Sequence, residues 1–426
     1  MDGERASRGE HLPWIAVALA TALSLVLLGR SLGAVARPAS SDGDVYLASA
    51  RALAERGPAA LAEDARAFVE DPGRSAWPSP LRVGYVALAA GWLALSGEWS
   101  VDSLARLSLA AHAVLVVAAY LLARRALGPP LGALAAVLTA FSTLPLALGR
   151  LPLADAWAGA TVALALWRWL VWRERGRRAR DGAWFAVAFA AALLVKETTV
   201  LLAPAFLVEG RCGGPRLDGG DGVLGRGPER TARRALSRDA AALAAPLVLA
   251  LIVWTLACGG PGRLGEVLAV AATEPGRAPY AVRYQSGPWY RYIVDLLLLS
   301  PWTTLLAIAG LGRALVRWRE GTAGGAERLA ALALACGLLG LAFLSKNARF
   351  LSFAVVPISL LATGWLGELA AALRPRARLL GPALAVLAVC ALEVASWREI
   401  FVERQAYDPV TAVLAIARRI VPWSGR

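Results

Sequence analysis

The chain has 426 residues, of which 58% are hydrophobic, and it contains 16 tryptophans and carries a formal net charge of +14. Soluble globular domains are apolar in about 45–50% of their residues, so this composition excludes a water-soluble protein and indicates one with several membrane spans. The basic residues are concentrated in short loops between apolar segments. This distribution orients a protein in a bilayer, and it argues against a nucleic-acid partner.

The cysteines and lysines are few. The four cysteines lack the CxxC spacing of metal and redox sites, so they are predicted to be small packing residues. Only two of the 45 basic residues are lysines, Lys196 and Lys346. Because a compact ammonium and a forked guanidinium bind anions differently, both lysines are candidates for a functional site.

The chain begins with an apolar segment, 12–29, that has the length of a membrane span. No convincing cleavage site follows it, so we predict a retained helix that starts in the cytoplasm. Residues 31–103 then form a first outer loop with an acidic stretch, Ser41–Leu47, and a predicted amphipathic helix over 45–56. Counting the short apolar segment 81–96 as a span would place later arginine-rich loops outside, so we predict an interfacial helix there.

Lys196 interrupts the apolar stretch 183–208, and we predict two short helices that meet there near the outer face. This arrangement leaves the flexible, arginine-rich loop 209–238 in the cytoplasm. The chain is therefore predicted to be one all-α polytopic domain, 1–426, with about eleven spans and a short outer tail, 397–426. The predicted spans are 12–29, 104–123, 131–149, 156–172, the two halves of 183–208, 240–257, 293–316, 328–345, 350–369 and 379–396.

On this topology several charged residues reach the outer surface, namely Asp42, Asp44, Asp155, Lys196, Lys346 and Arg349. The carboxylates can hold a divalent cation or take a proton from an attacking hydroxyl. The basic side chains can neutralise a phosphate that leaves with extra negative charge. The alternative interpretation is structural, because an aspartate can cap a helix and a basic side chain can anchor to lipid headgroups. His112, within a span, is predicted to hydrogen-bond a neighbouring helix.

Short motifs also occur in a definite order. They are Asp42-x-x-x-Tyr46, Pro80-Leu81, Arg106-Leu107, Arg124-Arg125, Arg150-x-x-x-x-Asp155, Leu194-Val195-Lys196-Glu197, Pro288-Trp289-Tyr290, and Lys346-x-x-Arg349-Phe350 with Pro357. Each motif alone is weak, but together they cover nearly the whole chain. The order resembles the GT-C glycosyltransferases, closest to the branch of protein O-mannosyltransferases and lipid A aminoarabinose transferases.

The resemblance implies a GT-C fold, a polyprenyl-phosphate sugar donor and inverting transfer at the extracytoplasmic face. It implies that an acidic residue in the first outer loop is the base, which Asp42 matches, and that Asp155 is the second outer-loop aspartate. The family usually has Asp-Glu at the first position. Here Gly43 follows Asp42 and the second carboxylate is Asp44, so either aspartate is a candidate base.

The basic residues at matching positions are the candidate ligands of the donor phosphate. They are Lys346, Arg349, Lys196, Arg82 and Arg150. A Mg²⁺ or Mn²⁺ ion held by Asp42 and Asp155 is optional, because cationic side chains alone can neutralise a monophosphate leaving group.

We therefore predict a multi-pass glycosyltransferase of the inner (plasma) membrane with its active site facing the periplasm or exterior. Its partners are a polyprenyl-phosphate-linked sugar, an acceptor glycan, lipid or protein, and membrane lipids. The rival interpretation is a transporter or flippase for an anionic solute or lipid, although the sequence lacks the repeated broken helices and related halves of transporters. An inactive relative that serves as a scaffold is a third interpretation, because Gly43 departs from the family pattern.

Overall fold

The structure is a computed structural model, and it describes residues 2–35, 41–75, 78–212, 228–273, 282, 285–371 and 377–420. The described residues form helices and connecting turns without a strand, which confirms the all-α prediction. The helices in chain order are α1 (Asp2–Ser31), α2 (Asp42–Arg56), α3 (Ala59–Glu70), α4 (Pro72–Ser75), α5 (Val83–Ser96), α6 (Val101–Leu127), α7 (Pro129–Phe141), α8 (Thr143–Gly149), α9 (Ala154–Glu174), α10 (Ala179–Val195), α11 (Ala203–Cys212), α12 (Pro228–Ala257), α13 (Pro261–Thr273), α14 (Arg291–Leu299), α15 (Pro301–Arg319), α16 (Gly325–Leu341), α17 (Val355–Ala371), α18 (Ala377–Trp397) and α19 (Pro409–Ile420). Four parts of predicted segments lie outside the described residues: 36–40 and 76–77 of the first outer loop, 213–227 of the basic loop and 421–426 of the tail.

Five described segments are long and apolar enough to cross a membrane, and α7 with α8, bent by 56°, would make a sixth span. The five segments are His11–Ser31, Val101–Leu127, Ser237–Ala257, Ala348–Ala371 and Arg378–Glu403. The remaining predicted spans correspond to shorter, broken or more polar helices, so the number eleven stays a prediction. Helix α5, with 14 residues, is about 21 Å long and is too short to cross a hydrocarbon core of about 30 Å.

The bend between α7 and α8 is stabilised by a buried acid from α18. The backbone N–H of Thr143, which starts α8, donates to Oε2 of Glu393 at 3.0 Å. The hydroxyls of Thr143 and Thr303 donate to the same carboxyl group at 2.6 and 2.8 Å. Glu393 is buried. An unpaired amide in an apolar interior is energetically costly. Glu393 therefore stabilises the break by accepting hydrogen bonds from the polar groups of Thr143.

The apolar stretch 183–208 is broken at Lys196, as predicted. Helix α10 ends at Val195, a 3₁₀ helix covers Glu197–Leu202, and α11 follows. His112 of α6 also has its predicted role, because its Nε2 lies 3.1 Å from the hydroxyl of Ser24 on α1.

The segment after α18 folds back onto the other helices. A π-helical turn, Arg398–Glu403, leads to α19, which packs against α14 and the 3₁₀ helix Ala348–Ala354. Phe401 and Val410 are buried in the main core. The segment is too short for a core of its own, but it joins the existing one.

The C-terminal end of α9 carries a group of charged side chains with little solvent exposure, which we call the Asp239 cluster (Arg173, Arg177 and Asp239). Asp239 accepts from Nη1 of Arg173 at 2.8 Å and from Nε and Nη2 of Arg177 at 2.6 and 3.1 Å. Its side chain is only 1% exposed, so both carboxylate oxygens are engaged away from water. The cluster joins the last turn of α9 to α12.

Candidate active site

Helix α2 begins at Asp42, three residues earlier than predicted. The backbone N–H and the hydroxyl of Ser41 both donate to Oδ2 of Asp44 at 2.8 Å. This is the reciprocal bonding of a capping box, which satisfies donors that the first turn of a helix leaves unpaired. Asp44 therefore has a structural role at the helix start, and Asp42 lies in the first turn with its carboxylate directed elsewhere.

Asp42 contacts Arg349, a residue 307 positions away in the sequence. Nη1 of Arg349 donates to Oδ2 of Asp42 at 2.8 Å. No described residue donates to the other oxygen, Oδ1. The side chain of Asp42 is 21% exposed, whereas that of Asp155 is 4% exposed, so Asp42 is more accessible to a substrate than Asp155.

The Arg349 guanidinium is also held along its other edge. Its Nε donates to Oδ1 of Asn347 at 3.2 Å and lies 3.7 Å from Oδ2 of Asp408. The same Asn347 oxygen accepts the backbone N–H of Arg349. Arg349 is therefore fixed at the start of its 3₁₀ helix between two carboxylates that come from distant parts of the chain.

Asp155 and Lys196 form a buried ion pair behind this contact. Nζ of Lys196 donates to Oδ1 of Asp155, and both side chains are almost fully buried. The ammonium also lies 4.2 Å from the centroid of the Phe350 ring, in a cation–π arrangement. The pair joins the first turn of α9 to the break after α10, and Phe350 connects it to Arg349, its neighbour in sequence.

Arg82 forms a second ion pair beside the same site. Its Nε donates to Oε2 of Glu197 at 3.2 Å, and its Nη1 donates to the hydroxyl of Tyr46 at 2.6 Å. Burial disfavours the charged guanidinium, but Glu197, Tyr46 and Asp155 together outweigh this effect, so the pKa of Arg82 lies well above its usual value. Burial raises the pKa of Tyr46, which keeps its phenol neutral and able to accept from Arg82.

Gly43 lies where the start of α2 approaches other residues closely. A Cβ at this position would lie 2.6 Å from Cγ of Pro152 and 3.1 Å from Cγ1 of Val101. The start of α2 therefore packs directly on the 150–153 turn, which leads into α9 and Asp155. A side chain at 43 would separate Asp42 from this turn.

Arg150 and Lys346 are engaged with backbone carbonyls. Nη2 of Arg150 donates to the Ala406 carbonyl at 2.6 Å, while Nε and Nη1 have no partner among the described residues. Burial lowers the pKa of Arg150 to about 10, so it remains charged at neutral pH. Nζ of Lys346 donates to the carbonyls of Ala342 and Leu344 at 2.6 and 2.7 Å, where it caps the end of α16.

A cavity of about 560 Å³ lies between α14, the end of α18 and α19. Its lining combines apolar side chains, such as Leu298 and Ala415, with polar ones, such as Thr411 and Tyr407. Burial raises the pKa of Tyr407 to about 12, and the charges of Arg349 and Asp42 also act on its phenol. The ring packs against the small core that contains Tyr46. Tyr407 therefore forms a wall between this cavity and Asp42.

The family model of the dolichyl-phosphate-mannose-protein mannosyltransferases matches residues 80–209, which include Arg82, Arg150, Asp155 and Lys196. Among solved structures, the apo oligosaccharyltransferase of Archaeoglobus fulgidus is similar with a TM-score of 0.60 and 13% identity over 94% of this chain and 56% of that chain. The same enzyme in complex with Zn and sulfate gives a TM-score of 0.55 and 14% identity over 78% of this chain and 44% of that chain. ArnT from Cupriavidus metallidurans, bound to undecaprenyl phosphate, gives a TM-score of 0.50 and 13% identity over 95% of this chain and 75% of that chain.

The chain has the fold of the GT-C glycosyltransferases. The resemblance inferred from the motifs is thereby confirmed at the level of the fold, and the family model supports it over residues 80–209. No curated protein sequence matches this chain. The chain spans about half the length of the oligosaccharyltransferase, so likeness to that enzyme extends to the shared membrane fold.

The predicted metal site does not fit the arrangement of this GT-C site. Asp42 and Asp155 were expected to share a Mg²⁺ or Mn²⁺ ion, yet each carboxylate is bound by a cation of its own, Arg349 and Lys196 respectively. Among the described residues, no group of three or more potential ligands could hold a metal ion. We therefore derive no step through a metal.

Sequence reasoning gave no role to several residues that complete the site: Tyr46, Glu197, Asn347 and Asp408. Tyr46 follows Asp42 by one helical turn, so a shared helix face could have indicated it. Glu197 is adjacent to Lys196 in the broken stretch. Asp408, followed by Pro409 and Thr411, has the pattern of a helix start, but no local signal predicts its approach to Arg349.

Proposed function

We propose that this protein is a membrane glycosyltransferase that moves a sugar from a polyprenyl-phosphate donor to an acceptor hydroxyl at the extracytoplasmic face, with inversion. The observation that carries the proposal is the contact between Asp42 and Arg349, which places a partly exposed carboxylate next to a cation in a GT-C fold. A base and a phosphate ligand are the two groups that this transfer requires.

In the proposed reaction Asp42 takes the proton of the acceptor hydroxyl as its oxygen attacks the anomeric carbon. The bond between this carbon and the phosphate oxygen breaks, and the lipid phosphate leaves with the bonding electrons. Arg349 stabilises the charge that develops on it, because a forked guanidinium matches phosphate oxygens. Since Asp42 and the phosphate compete for the same guanidinium, binding of the donor would release Asp42 to act as base.

The other predicted basic residues have different roles in this proposal. Lys196 and Arg82 lie near Asp42 with a carboxylate partner each, and they contribute positive potential and hold the site together. Arg150 and Lys346 are engaged with carbonyl groups, so they are not direct phosphate ligands in this conformation. We further propose that the acceptor occupies the cavity behind Tyr407, because an amphipathic acceptor suits its mixed lining.

The test is transfer of radiolabelled sugar from a panel of polyprenyl-phosphate donors in membranes that contain the wild-type chain, Asp42→Asn or Asp44→Asn at equal amounts. We expect wild-type transfer, a loss of about 10³-fold in Asp42→Asn, and little loss in Asp44→Asn, since asparagine can still accept the capping bonds. Equal losses in both variants would contradict the assignment of the base. Absence of transfer together with passage of a labelled anion across the vesicles would support the transporter interpretation instead.

A further inference from the structure

The segment that follows α18 contributes a carboxylate to the candidate active site. Asp408 precedes α19, which packs on the 3₁₀ helix that carries Arg349. Its side chain is 4% exposed, so its charge is poorly solvated and depends on its partners. The surrounding core residues Phe401 and Val410 keep this segment in place.

The two oxygens of Asp408 have different partners. Oδ1 accepts from the backbone N–H and the hydroxyl of Thr411 at 2.9 and 3.0 Å, which is the bonding of a helix N-cap. Oδ2 lies 3.7 Å from Nε of Arg349. One oxygen therefore anchors the carboxylate to α19, and this anchor directs the other oxygen toward the guanidinium.

Arg349 consequently has a carboxylate on each side. Asp408 and the Asn347 amide engage the Nε edge, and Asp42 engages Nη1 at 2.8 Å. A guanidinium is planar and rigid, so fixing its Nε edge also fixes the direction of Nη1. A second carboxylate also balances part of the positive charge, which weakens the hold of Arg349 on Asp42.

We propose that Asp408 is a positioning residue that acts through Arg349, keeping its guanidinium aimed at the position shared by Asp42 and the leaving phosphate. The inference rests on the proposed glycosyl transfer. Without the Asp408 charge, the guanidinium loses its fixed direction and stabilises the developing phosphate charge less well, so turnover falls. Binding of the donor phosphate becomes tighter, because a negative charge near it has been removed.

The test variant is Asp408→Asn, which keeps an oxygen for the Thr411 bonds and removes the charge. We expect kcat to fall about 10-fold, with a lower donor KM and an unchanged thermal midpoint of the purified protein. Asp239→Asn is the matched control, because it removes the charge of another buried carboxylate, at the opposite end of α9 from the site. It should lower the thermal midpoint with little effect on kcat.

A double-variant comparison then shows whether Asp408 acts through Arg349. In an Arg349→Lys background, which keeps the charge but loses the fork, Asp408→Asn should lower kcat by less than about 2-fold. The same 10-fold loss in both backgrounds, an unchanged kcat in Asp408→Asn, or a raised donor KM with normal kcat would each overturn the proposal.

Binding of undecaprenyl phosphate, followed by intrinsic tryptophan fluorescence, provides a readout that does not depend on turnover. Asp408→Asn should lower its dissociation constant in the wild-type background and not in the Arg349→Lys background. If the wild type transferred no sugar, the proposed function would fail, and this comparison would still decide the role of Asp408. Equal changes in the dissociation constant in both backgrounds, or no change in either, would overturn the positioning role of Asp408.

Discussion

The Asp239 cluster and the Asp42 site lie at opposite ends of α9 and use the same chemistry differently. Asp239 accepts three bonds from two arginines and is 1% exposed. Asp42 accepts one bond from one arginine, its other oxygen has no donor among the described residues, and it is 21% exposed. A carboxylate whose bonds are complete can only hold helices together, whereas one with an open oxygen and access to solvent can exchange its partner for a substrate.

The largest expected effect in this comparison comes from replacing Asp239, both of whose carboxylate oxygens are hydrogen-bonded. Asp239→Ala removes the carboxylate that Arg173 and Arg177 share, and their side chains are only 8% and 13% exposed, so the free energy of unfolding should fall by about 3–5 kcal/mol. The measurement is the thermal midpoint of the purified protein, together with transfer per folded molecule, which should stay near the wild-type value. The control is Glu63→Ala, whose pair with Arg56 is more than half exposed and should matter little. A stable Asp239→Ala protein that has lost transfer would contradict the structural role assigned to Asp239.

The packing that positions Asp42 can be tested with a single methyl group. Gly43→Ala places a carbon 2.6 Å from Cγ of Pro152, so the start of α2 must move, at a cost of about 1–3 kcal/mol. We expect transfer to fall about 10-fold, since Asp42 moves with the helix. Gly91→Ala in α5 is the control, because its methyl group would meet no atom within 4 Å. An unchanged rate in Gly43→Ala would show that the site tolerates this displacement.

The cavity behind Tyr407 offers a test of where the acceptor binds. Ala415→Trp adds a large ring to its lining, so the acceptor KM should rise about 10-fold while the donor KM stays within about 2-fold. Leu95→Trp, on a side chain that is 89% exposed, is the control for the added ring. A rise in the donor KM alone would assign the cavity to the donor lipid.

The smallest effect is expected where a lysine binds only backbone carbonyls. Lys346→Gln removes a charged cap from the end of α16, which should lower the free energy of unfolding by about 1 kcal/mol or less and change the donor KM by less than about 2-fold. The thermal midpoint reports the change in stability, and steady-state transfer reports the donor KM. A 10-fold rise in the donor KM would return Lys346 to the role of phosphate ligand.

Features that depend on local chemistry were predictable from the sequence. A charge within an apolar run predicted the break at Lys196, and the positive-inside pattern placed Asp42, Asp155, Lys196 and Arg349 on one side, where the structure brings them together. Partner choice was not predictable, because it is decided by packing between segments far apart in sequence. Charge alone could not distinguish Asp44, which caps its own helix, from Asp42, nor show that Lys346 and Arg150 bind carbonyl groups.

The buried Glu393 has a consequence for the order of biosynthesis. Its carboxyl group pairs with Thr143, 250 residues earlier in the chain, at the bend between α7 and α8. Until the ribosome has delivered α18, a nascent chain holds this bend with an unsatisfied amide and hydroxyl. The last long helix therefore completes a helix break that entered the membrane much earlier. The turn after α8 leads to Asp155, so final assembly of the candidate active site follows the synthesis of α18.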